Sequence, residues 1–174
     1  MRFRDRVALI TGAGSGIGQQ TALAFAREGA RVACADIDRN AADATVTLIT
    51  RDKGTAIALA GDVSKAADCE ALVRETMRVY ERIDVLVNNA GVGFSGTVLT
   101  NTEEQWDTMM AVNVKGTYLL SRAALPDTAD APAKPSPQRR IVSRAWRDPS
   151  CIRSERSTAA TASTEPAATC GEER

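Results

Sequence analysis

A glycine-rich segment near the start of the chain has the residue types that bind phosphate. Residues 11–18 read TGAGSGIG and lie between an apolar run, Val7–Ile10, and a stretch of helical character, residues 19–26. Glycine lets the backbone turn tightly and approach a ligand, while the N–H groups and the positive end of a following helix favour an anion. The segment therefore predicts a phosphate-binding turn.

The glycine spacing alone leaves the ligand open. Gly12, Gly16 and Gly18 form a G-x-x-x-G-x-G pattern, and Ile17 occupies the place of the last glycine of the common G-x-G-x-x-G dinucleotide fingerprint. A nucleoside triphosphate loop would need Lys followed by Ser or Thr after its last glycine. Taken by itself, the segment is also compatible with a flexible turn.

An acidic residue in a suitable place favours a dinucleotide. Asp36 closes the second predicted strand, 24 residues after Gly12. There a carboxylate can accept hydrogen bonds from the adenosine ribose hydroxyls of NAD, and it would repel the extra phosphate of NADP. We therefore expect NAD as the cofactor. Asp38 is an alternative candidate for the same role, and Asp36 could also be an ordinary surface residue at the end of a strand.

Polar or small residues also follow the next two predicted strands. Asp62 and Val63 come after the third strand, and the segment Asn88–Gly91 comes after the fourth. Because ligands of open α/β sheets bind at the carboxyl ends of the strands, these residues are expected to share one site with the glycine segment.

Asn113 places an amide among apolar residues of a predicted helix. It lies four residues after Met109 and seven after Trp106, which predicts a buried position on the apolar face. A buried amide without partners costs about 1–3 kcal/mol. Asn113 is therefore expected either to brace the neighbouring strand and loop or to hold a water molecule for proton transfer.

The elements that position these residues alternate between strands and helices up to Leu125, which predicts an α/β fold around a parallel sheet. Thr102 or Asn101 is placed to cap the last helix. The predicted strands are Val7–Thr11, Arg31–Asp36, Thr55–Ala60 and Ile83–Asn88, and the predicted helices are Ile17–Glu28, Arg39–Lys53, Ser64–Arg82 and Glu103–Ala124.

Composition excludes several classes of function. The 174 residues carry 22 basic and 22 acidic side chains, so there is no net field that would attract nucleic acid or an anionic membrane. The four cysteines have neither C-x-x-C spacing nor histidine partners, which predicts reduced thiols and no metal site. No secretory signal and no apolar run of about 20 residues is present, and a cytoplasmic location is expected.

Composition changes after Leu125. All six prolines lie between Pro126 and Pro166, and few large apolar residues occur there. We expect a domain at residues 1–125 and an atypical tail at residues 126–174. Within the tail, residues 129–138 and 154–174 are expected to be disordered, and residues 140–143 form at best a residual strand.

Together these motifs resemble the short-chain dehydrogenase/reductase family of NAD(P)-dependent oxidoreductases, over about residues 4–125. The resemblance implies the first half of a Rossmann-like, doubly wound parallel sheet with strand order 3-2-1-4. It also implies roles for the site residues: a diphosphate cradle, a ribose ligand (Asp36), an adenine wall (Asp62 and Val63), a nicotinamide border (Asn89, Ala90 and Gly91) and a fourth catalytic residue that positions a water (Asn113). The cradle comprises Gly12, Ser15, Gly16, Ile17 and Gly18.

Members of this family transfer hydride between nicotinamide and an alcohol or carbonyl carbon, using a serine and a Tyr-x-x-x-Lys pair. No tyrosine follows Tyr118 and no lysine follows Lys134 in this chain. Ser143 stands near the expected distance of the serine from Asn113, but its flanks differ, and a loop or turn residue is the favoured interpretation. Tyr118 and Arg122 are spaced to touch on one helix, where Tyr118 is expected to pack rather than to replace the acid.

The leading hypothesis is a member of the short-chain dehydrogenase/reductase family that retains the NAD-binding half. If it is active, its substrate is expected to be a small alcohol or carbonyl compound. A homo-oligomer is also expected. The tail composition suggests a shifted reading frame or an altered 3′ end of the gene, which the other two reading frames would test. The alternative is a non-catalytic nucleotide-binding or interaction module whose fourth strand and last helix pair with a partner, since an unpaired fourth strand exposes backbone donors and acceptors.

Overall fold

The computed structural model describes residues 1–125 and the backbone of residues 140–143. The predicted strands and helices are all present, with ends shifted by two residues or fewer except where noted below. The elements are β1 Val7–Thr11, α1 Gly16–Arg27, β2 Arg31–Asp36, α2 Arg39–Arg51, β3 Thr55–Ala60, α3 Ala66–Tyr80, β4 Val85–Asn88, α4 Glu103–Met109, a π-helical segment Met110–Lys115, α5 Gly116–Ala124 and β5 Arg140–Ser143.

The strands form one parallel sheet in the order β3-β2-β1-β4-β5. The predicted order 3-2-1-4 and the Rossmann-like class are confirmed. The expectation of an unpaired fourth strand is wrong, because β5 pairs with β4 in the register Val85 to Arg140 and Asn88 to Ser143. Four residues between proline-rich segments give a weak local strand signal, and pairing with the buried β4 decides their conformation.

Both faces of the sheet are covered, as a parallel sheet requires. In β1, Val7 and Leu9 belong to a core cluster that includes side chains of α3 and α5, whereas Ala8 and Ile10 belong to a second cluster with side chains of α1 and α2. All four side chains are fully buried. The near-continuous apolar character of the strand thus follows from burial on both sides, and it leaves the strand ends as the places where polar side chains meet.

The amino end of the sheet is closed by an ion-pair cluster around Asp84. This carboxylate is 4% exposed and accepts hydrogen bonds from the backbone N–H of Val7 at 2.9 Å, from Arg6 at 3.0 Å and from Arg82. Burial alone would raise the pKa of Asp84, but these donors together hold the pKa below its usual range.

The helix predicted over 103–124 is interrupted. It begins as expected at Thr102, whose hydroxyl accepts from the N–H of Gln105 in a capping box. From Met110 to Lys115 the chain is π-helical, and α5 then continues to Ala124. The spacing of apolar residues does not reveal that part of a helix is π-helical. Such π-helical turns are frequent at functional sites, and this one contains Asn113.

Two predictions concern residues outside the described part of the chain: disorder at 129–138 and at 154–174. Within residues 1–125 and 140–143, no helix is long and apolar enough to cross a membrane.

Candidate functional site

A cleft of about 510 Å³ lies at the carboxyl end of the sheet. Every residue to which the family resemblance gives a role in cofactor binding lines it. Asn88, which was expected to share the site, is instead buried, and its amide donates to the Ser121 hydroxyl. Also on the walls of the cleft are Thr11, Ala35, Ile37, Gly61, Val92 and Val112, which sequence reasoning did not single out as site residues. The predicted residues in the cleft are Gly12, Ser15, Gly16, Ile17, Gly18, Asp36, Asp62, Val63, Asn89, Ala90 and Gly91.

The glycine segment forms a tight turn whose backbone donors are open. Gly12 has a φ of +62°, and a Cβ at Gly18 would lie 1.9 Å from the Gly12 carbonyl oxygen. Only glycine fits both positions without strain. α1 begins at Gly16, the Ser15 side chain makes no capping hydrogen bond, and the N–H groups of residues 15–18 have no acceptor within the described part of the chain. This arrangement suits an anion.

Asp36 is held in place beside that turn. One carboxylate oxygen accepts a hydrogen bond from the N–H of Gly14 at 2.8 Å, and the other accepts from the N–H of Asp38 at 3.1 Å. Asp38, the alternative candidate, caps α2 by accepting from the N–H groups of Asn40 and Ala41, and it does not line the cleft. The geometry therefore favours Asp36 as the carboxylate that faces a ligand.

Gly14 is a sterically restricted position of the glycine segment, and the sequence analysis gives it no role of its own. A Cβ there would lie 2.5 Å from the Cβ of Ala41 and 2.8 Å from the Asp36 carboxylate. The φ of Gly14 is not positive, so its backbone conformation does not require glycine. Glycine is required here because α2 and β2 approach the Gly14 backbone closely.

A second wall of the cleft is joined to the glycine turn through Thr11 and Asn89. The Thr11 hydroxyl accepts from the N–H groups of Asn89 and Ala90, both at 3.1 Å. The Asn89 amide donates in return to the carbonyl oxygens of Thr11 at 2.9 Å and Gly12 at 3.3 Å. These bonds cross from the end of β1 to the loop after β4 and so join the two segments at this side of the cleft.

Asp62 occupies the third wall. Its carboxylate accepts from the Ser64 hydroxyl at 2.7 Å and from the Ser64 N–H at 2.9 Å, and it lies 3.5 Å from the Lys65 ammonium. The hydroxyl bond lowers the pKa of Asp62 most; burial opposes it, and the Ser64 N–H and Lys65 add to it. Asp62 is therefore an ionised acceptor at neutral pH.

Asn113 lies beside the cleft and not in its lining, although its neighbour Val112 is part of the wall. The prediction of a buried amide is wrong, because Asn113 is exposed on the π-helical segment. Its oxygen accepts from the Val92 N–H and its nitrogen donates to the Val92 carbonyl, both at 2.9 Å. Of the two predicted roles, bracing of the neighbouring loop is the one that the side-chain contacts support.

The sequence profile of the short chain dehydrogenase family matches residues 6–134, which is most of the chain and contains the whole cleft. The chain belongs to this family. It is 47% identical to an uncharacterized oxidoreductase of Thermotoga maritima over 125 residues, which cover 72% of this chain and 49% of the relative.

Two further relatives of this chain carry more specific names. A meso-2,3-butanediol dehydrogenase of Serratia marcescens is 40% identical, with 72% of this chain and 49% of the relative covered. The structure of a 3-ketoacyl-(acyl-carrier-protein) reductase from Brucella melitensis, complexed with NADH, is 39% identical and superposes with a TM-score of 0.68 over 71% of this chain and 50% of that one. The chain thus spans about half the length of these relatives.

The sequence analysis also singled out a serine, a tyrosine and the cysteines. Ser143 ends β5 opposite Asn88, and its side chain lies outside the described part of the structure. Tyr118 is 59% exposed, so its expected packing is not observed among the described residues. Cys34 and Cys69 are buried thiols, and burial raises the pKa of Cys34 to about 12 and that of Cys69 to about 11. Within residues 1–125 and 140–143, no cluster of metal-binding side chains is present.

Proposed function

We propose that the cleft binds a nicotinamide adenine dinucleotide and that residues 1–125 form the cofactor domain. The observation that carries this proposal is the convergence of all the predicted cofactor residues on one cleft, with the N–H groups of residues 15–18 open. A dinucleotide needs a diphosphate site, a ribose acceptor and an adenine wall in series along the sheet edge. The glycine turn, Asp36, and Asp62 with Val63 fit that series.

The proposed roles follow from this placement. Gly12, Ser15, Gly16, Ile17 and Gly18 would hold the diphosphate, Asp36 the adenosine ribose, and Asp62 and Val63 the adenine. Asn89, Ala90 and Gly91 would border the nicotinamide side, where Asn89 also fixes the turn through its two amide bonds.

NAD is the favoured form of the cofactor because of the way Asp36 is held. Two backbone N–H groups orient its carboxylate at the cleft wall. A 2′-hydroxyl can donate to such a carboxylate, whereas a 2′-phosphate brings negative charge against it. We expect NADH to bind more tightly than NADPH.

A bound nicotinamide exchanges hydride with an alcohol or carbonyl carbon, which is the chemistry implied by the family. The acid or base of that chemistry must titrate near neutral pH, and a free tyrosine, with a pKa near ~10, needs a nearby cation for this role. No tyrosine follows Tyr118 and no lysine follows Lys134, so the Tyr-x-x-x-Lys pair is not in this chain. The family resemblance implies that Asn113 is the fourth catalytic residue, and we propose that it acts here through Val92, by holding the loop on the nicotinamide side.

Titration of the full chain with NADH tests the proposal. We expect a rise in NADH fluorescence with saturable binding, weaker binding of NADPH, and no oxidation or reduction of simple alcohols or ketones. Absence of NADH binding would contradict the cofactor site. Turnover would instead show that another group in the chain replaces the missing pair.

A self-associating chain is a second candidate, supported by the exposed face of α4, the π-helical segment and α5. On this face, called here the α4–α5 stripe, Trp106, Met110, Val114 and Tyr118 are 58%, 39%, 56% and 59% exposed. Acidic residues (Glu103, Glu104 and Asp107) lie at its start, and basic residues (Lys115 and Arg122) lie towards its end. Two copies packed antiparallel would bring each acidic end to a basic end, and a twofold contact of this kind is self-complementary.

The fourth strand does not offer a second docking edge, since β5 occupies it. Sedimentation of the full chain separates the remaining cases. We expect a dimer that Val114→Glu dissociates, while Val98→Glu, at a 98% exposed apolar residue outside the stripe, leaves it intact. A monomeric wild-type chain would exclude self-association.

A further inference from the structure

Thr45 is a polar side chain in the core that contacts the glycine turn from behind. It lies in the middle of α2 and is fully buried. Its hydroxyl is 2.8 Å from the Ala13 carbonyl oxygen and 3.3 Å from the Ala41 carbonyl oxygen of its own helix. Because a hydroxyl has one proton, the shorter contact marks Ala13 as its acceptor.

Gln19 completes the contact from α1. Its amide nitrogen donates to the Thr45 hydroxyl at 3.0 Å and to the Gly14 carbonyl oxygen at 3.3 Å. Both protons of the amide are therefore used, and the Thr45 hydroxyl is both donor and acceptor. Neither Gln19 nor Thr45 lines the cleft.

These bonds fix the direction of two consecutive peptide groups. The carbonyl oxygens of Ala13 and Gly14 face donors on α1 and α2, while the Gly14 N–H is held by Asp36 and the Ala13 N–H by the Ala35 carbonyl. A carbonyl oxygen turned towards an anion would repel it, and these two carbonyls are engaged elsewhere. The next N–H groups, those of residues 15–18, have no acceptor among the residues that the structure describes.

We propose that Gln19 and Thr45 are positioning residues for the cofactor diphosphate, which act by holding the Ala13–Gly14 backbone. This inference rests on the proposed function of the cleft. Because neither side chain lines the cleft, the pair would act on a ligand only through the backbone, by joining α2 to the first turn of α1.

Matched substitutions in α2 test the role of Thr45. Thr45→Val removes the hydroxyl at nearly constant volume, and Thr45→Ser restores it. Thr47→Val is the control, because the Thr47 hydroxyl is exposed and donates to the backbone carbonyl oxygen of Asp43 in the same helix. For Thr45→Val we expect Kd for NADH and for ADP-ribose to rise about tenfold, as for loss of one net hydrogen bond, with Thr45→Ser and Thr47→Val close to wild type.

Adenosine separates positioning from a general loss of structure. It lacks the diphosphate, so its affinity, followed by amide chemical shifts in NMR spectra, should be unchanged in Thr45→Val. Gln19→Leu, at a partly exposed position, provides a second route if Thr45→Val does not fold. Gln19→Leu should also raise Kd for ADP-ribose, and where both variants fold the two effects should not add.

The outcomes distinguish the two proposals. If the wild-type chain binds neither NADH nor ADP-ribose, the cofactor site is wrong and this inference falls with it. The positioning role is wrong, while the cofactor site stands, in either of two cases. In the first, the wild type binds ADP-ribose and both Thr45→Val and Gln19→Leu bind it with the wild-type Kd. In the second, the variants lose as much affinity for adenosine as for ADP-ribose.

Discussion

Two aspartates at opposite ends of the sheet have different surroundings. At the amino end, Asp84 accepts hydrogen bonds from two arginines and one backbone N–H. At the carboxyl end, Asp36 accepts hydrogen bonds from two backbone N–H groups and also lines the cleft. Asp84 is 4% exposed and its donors surround it. Asp36 is only half-buried. Both carboxylates thus hold backbone, but only Asp36 retains capacity for a further donor.

The same difference extends to the elements around them. At the amino end, polar groups satisfy one another and close the sheet. At the carboxyl end, Asp36, Thr45 and Asn89 hold the turn, while the N–H groups of residues 15–18 find no acceptor in the part of the chain that the structure describes. Substitutions at the first end should therefore change stability without changing cofactor affinity, and substitutions at the second end should change affinity first.

The largest effect is expected from Gly18→Ala. Alanine would favour the helix by about 1 kcal/mol, but the new Cβ would lie 1.9 Å from the Gly12 carbonyl oxygen and 2.5 Å from the Asn89 amide nitrogen. The clash outweighs the helical preference, since overpacking costs about 1–3 kcal/mol and here would also displace the turn. We expect NADH affinity to fall by roughly a hundredfold or more, measured by fluorescence titration.

Gly93→Ala is the matched control for that variant. Gly93 lies in the loop after β4 and does not line the cleft, and no atom of the described residues lies within 4 Å of an added Cβ. Its Kd for NADH should equal that of the wild type. Equal affinity in Gly18→Ala and Gly93→Ala would show that the turn does not bind the cofactor.

The cleft residues could be predicted because their signals are local in sequence. Each follows a strand or lies in the glycine segment, and a parallel sheet brings strand ends together. Thr45 and Gln19 carried no such signal: their bonds to the turn and to each other depend on how α1 and α2 pack, across separations of up to 32 residues. The need for glycine at position 14 could not be predicted, because it follows from the proximity of Ala41 in the folded chain.

Two errors have a similar origin. The burial predicted for Asn113 assumed a uniform helix, and the π-helical segment places the residue on the surface instead. The fourth strand was expected to be unpaired because four residues, Arg140–Ser143, have little strand signal without their partner β4. Local pattern therefore predicts which elements form, but not the contacts that depend on their packing.

The next largest effect is expected on stability, from Asp84→Asn. Loss of the charge weakens bonds from Arg6, Arg82 and the Val7 N–H, and breaking hydrogen bonds to a buried charged group costs about 1–3 kcal/mol. Urea unfolding at pH 7 should show this loss, with NADH affinity unchanged. Asp43→Asn, which breaks an exposed pair with Arg39, is the control and should cost less than about 0.5 kcal/mol.

The stabilisation by Asp84 should also depend on pH with a definite sign. The pKa of Asp84 is lowered in the folded chain from its usual value of 3.8, so the unfolded state binds the proton more readily. The stabilisation is therefore complete above that usual value and is lost as the pH falls through the folded pKa. The difference between wild type and Asp84→Asn should shrink below about pH 4; a difference that grows there would contradict the assignment.

A smaller effect, on selectivity, is expected from Asp36→Asn. The amide oxygen can still accept from the Gly14 N–H, so the turn should stay in place, while the bond from the exposed Asp38 N–H and the negative charge at the cleft wall are lost. We expect the ratio of the NADPH and NADH dissociation constants to move about tenfold towards NADPH, the size of one charge-assisted contact. Asp38→Asn, at the cap of α2 outside the cleft, should leave the ratio unchanged.

The smallest effect is expected from Asn113→Ala, because its two bonds to Val92 are exposed to water. Net contributions of about 0.5–1 kcal/mol each would destabilise the loop after β4 without changing the melting temperature much. Hydrogen exchange of the Val92 amide should accelerate in Asn113→Ala but less in Asn113→Asp, which keeps the acceptor for that N–H and loses only the donor. If both variants exchange at the wild-type rate, the loop is held by other contacts, and the cleft wall at Gly91 and Val92 does not depend on the π-helical segment.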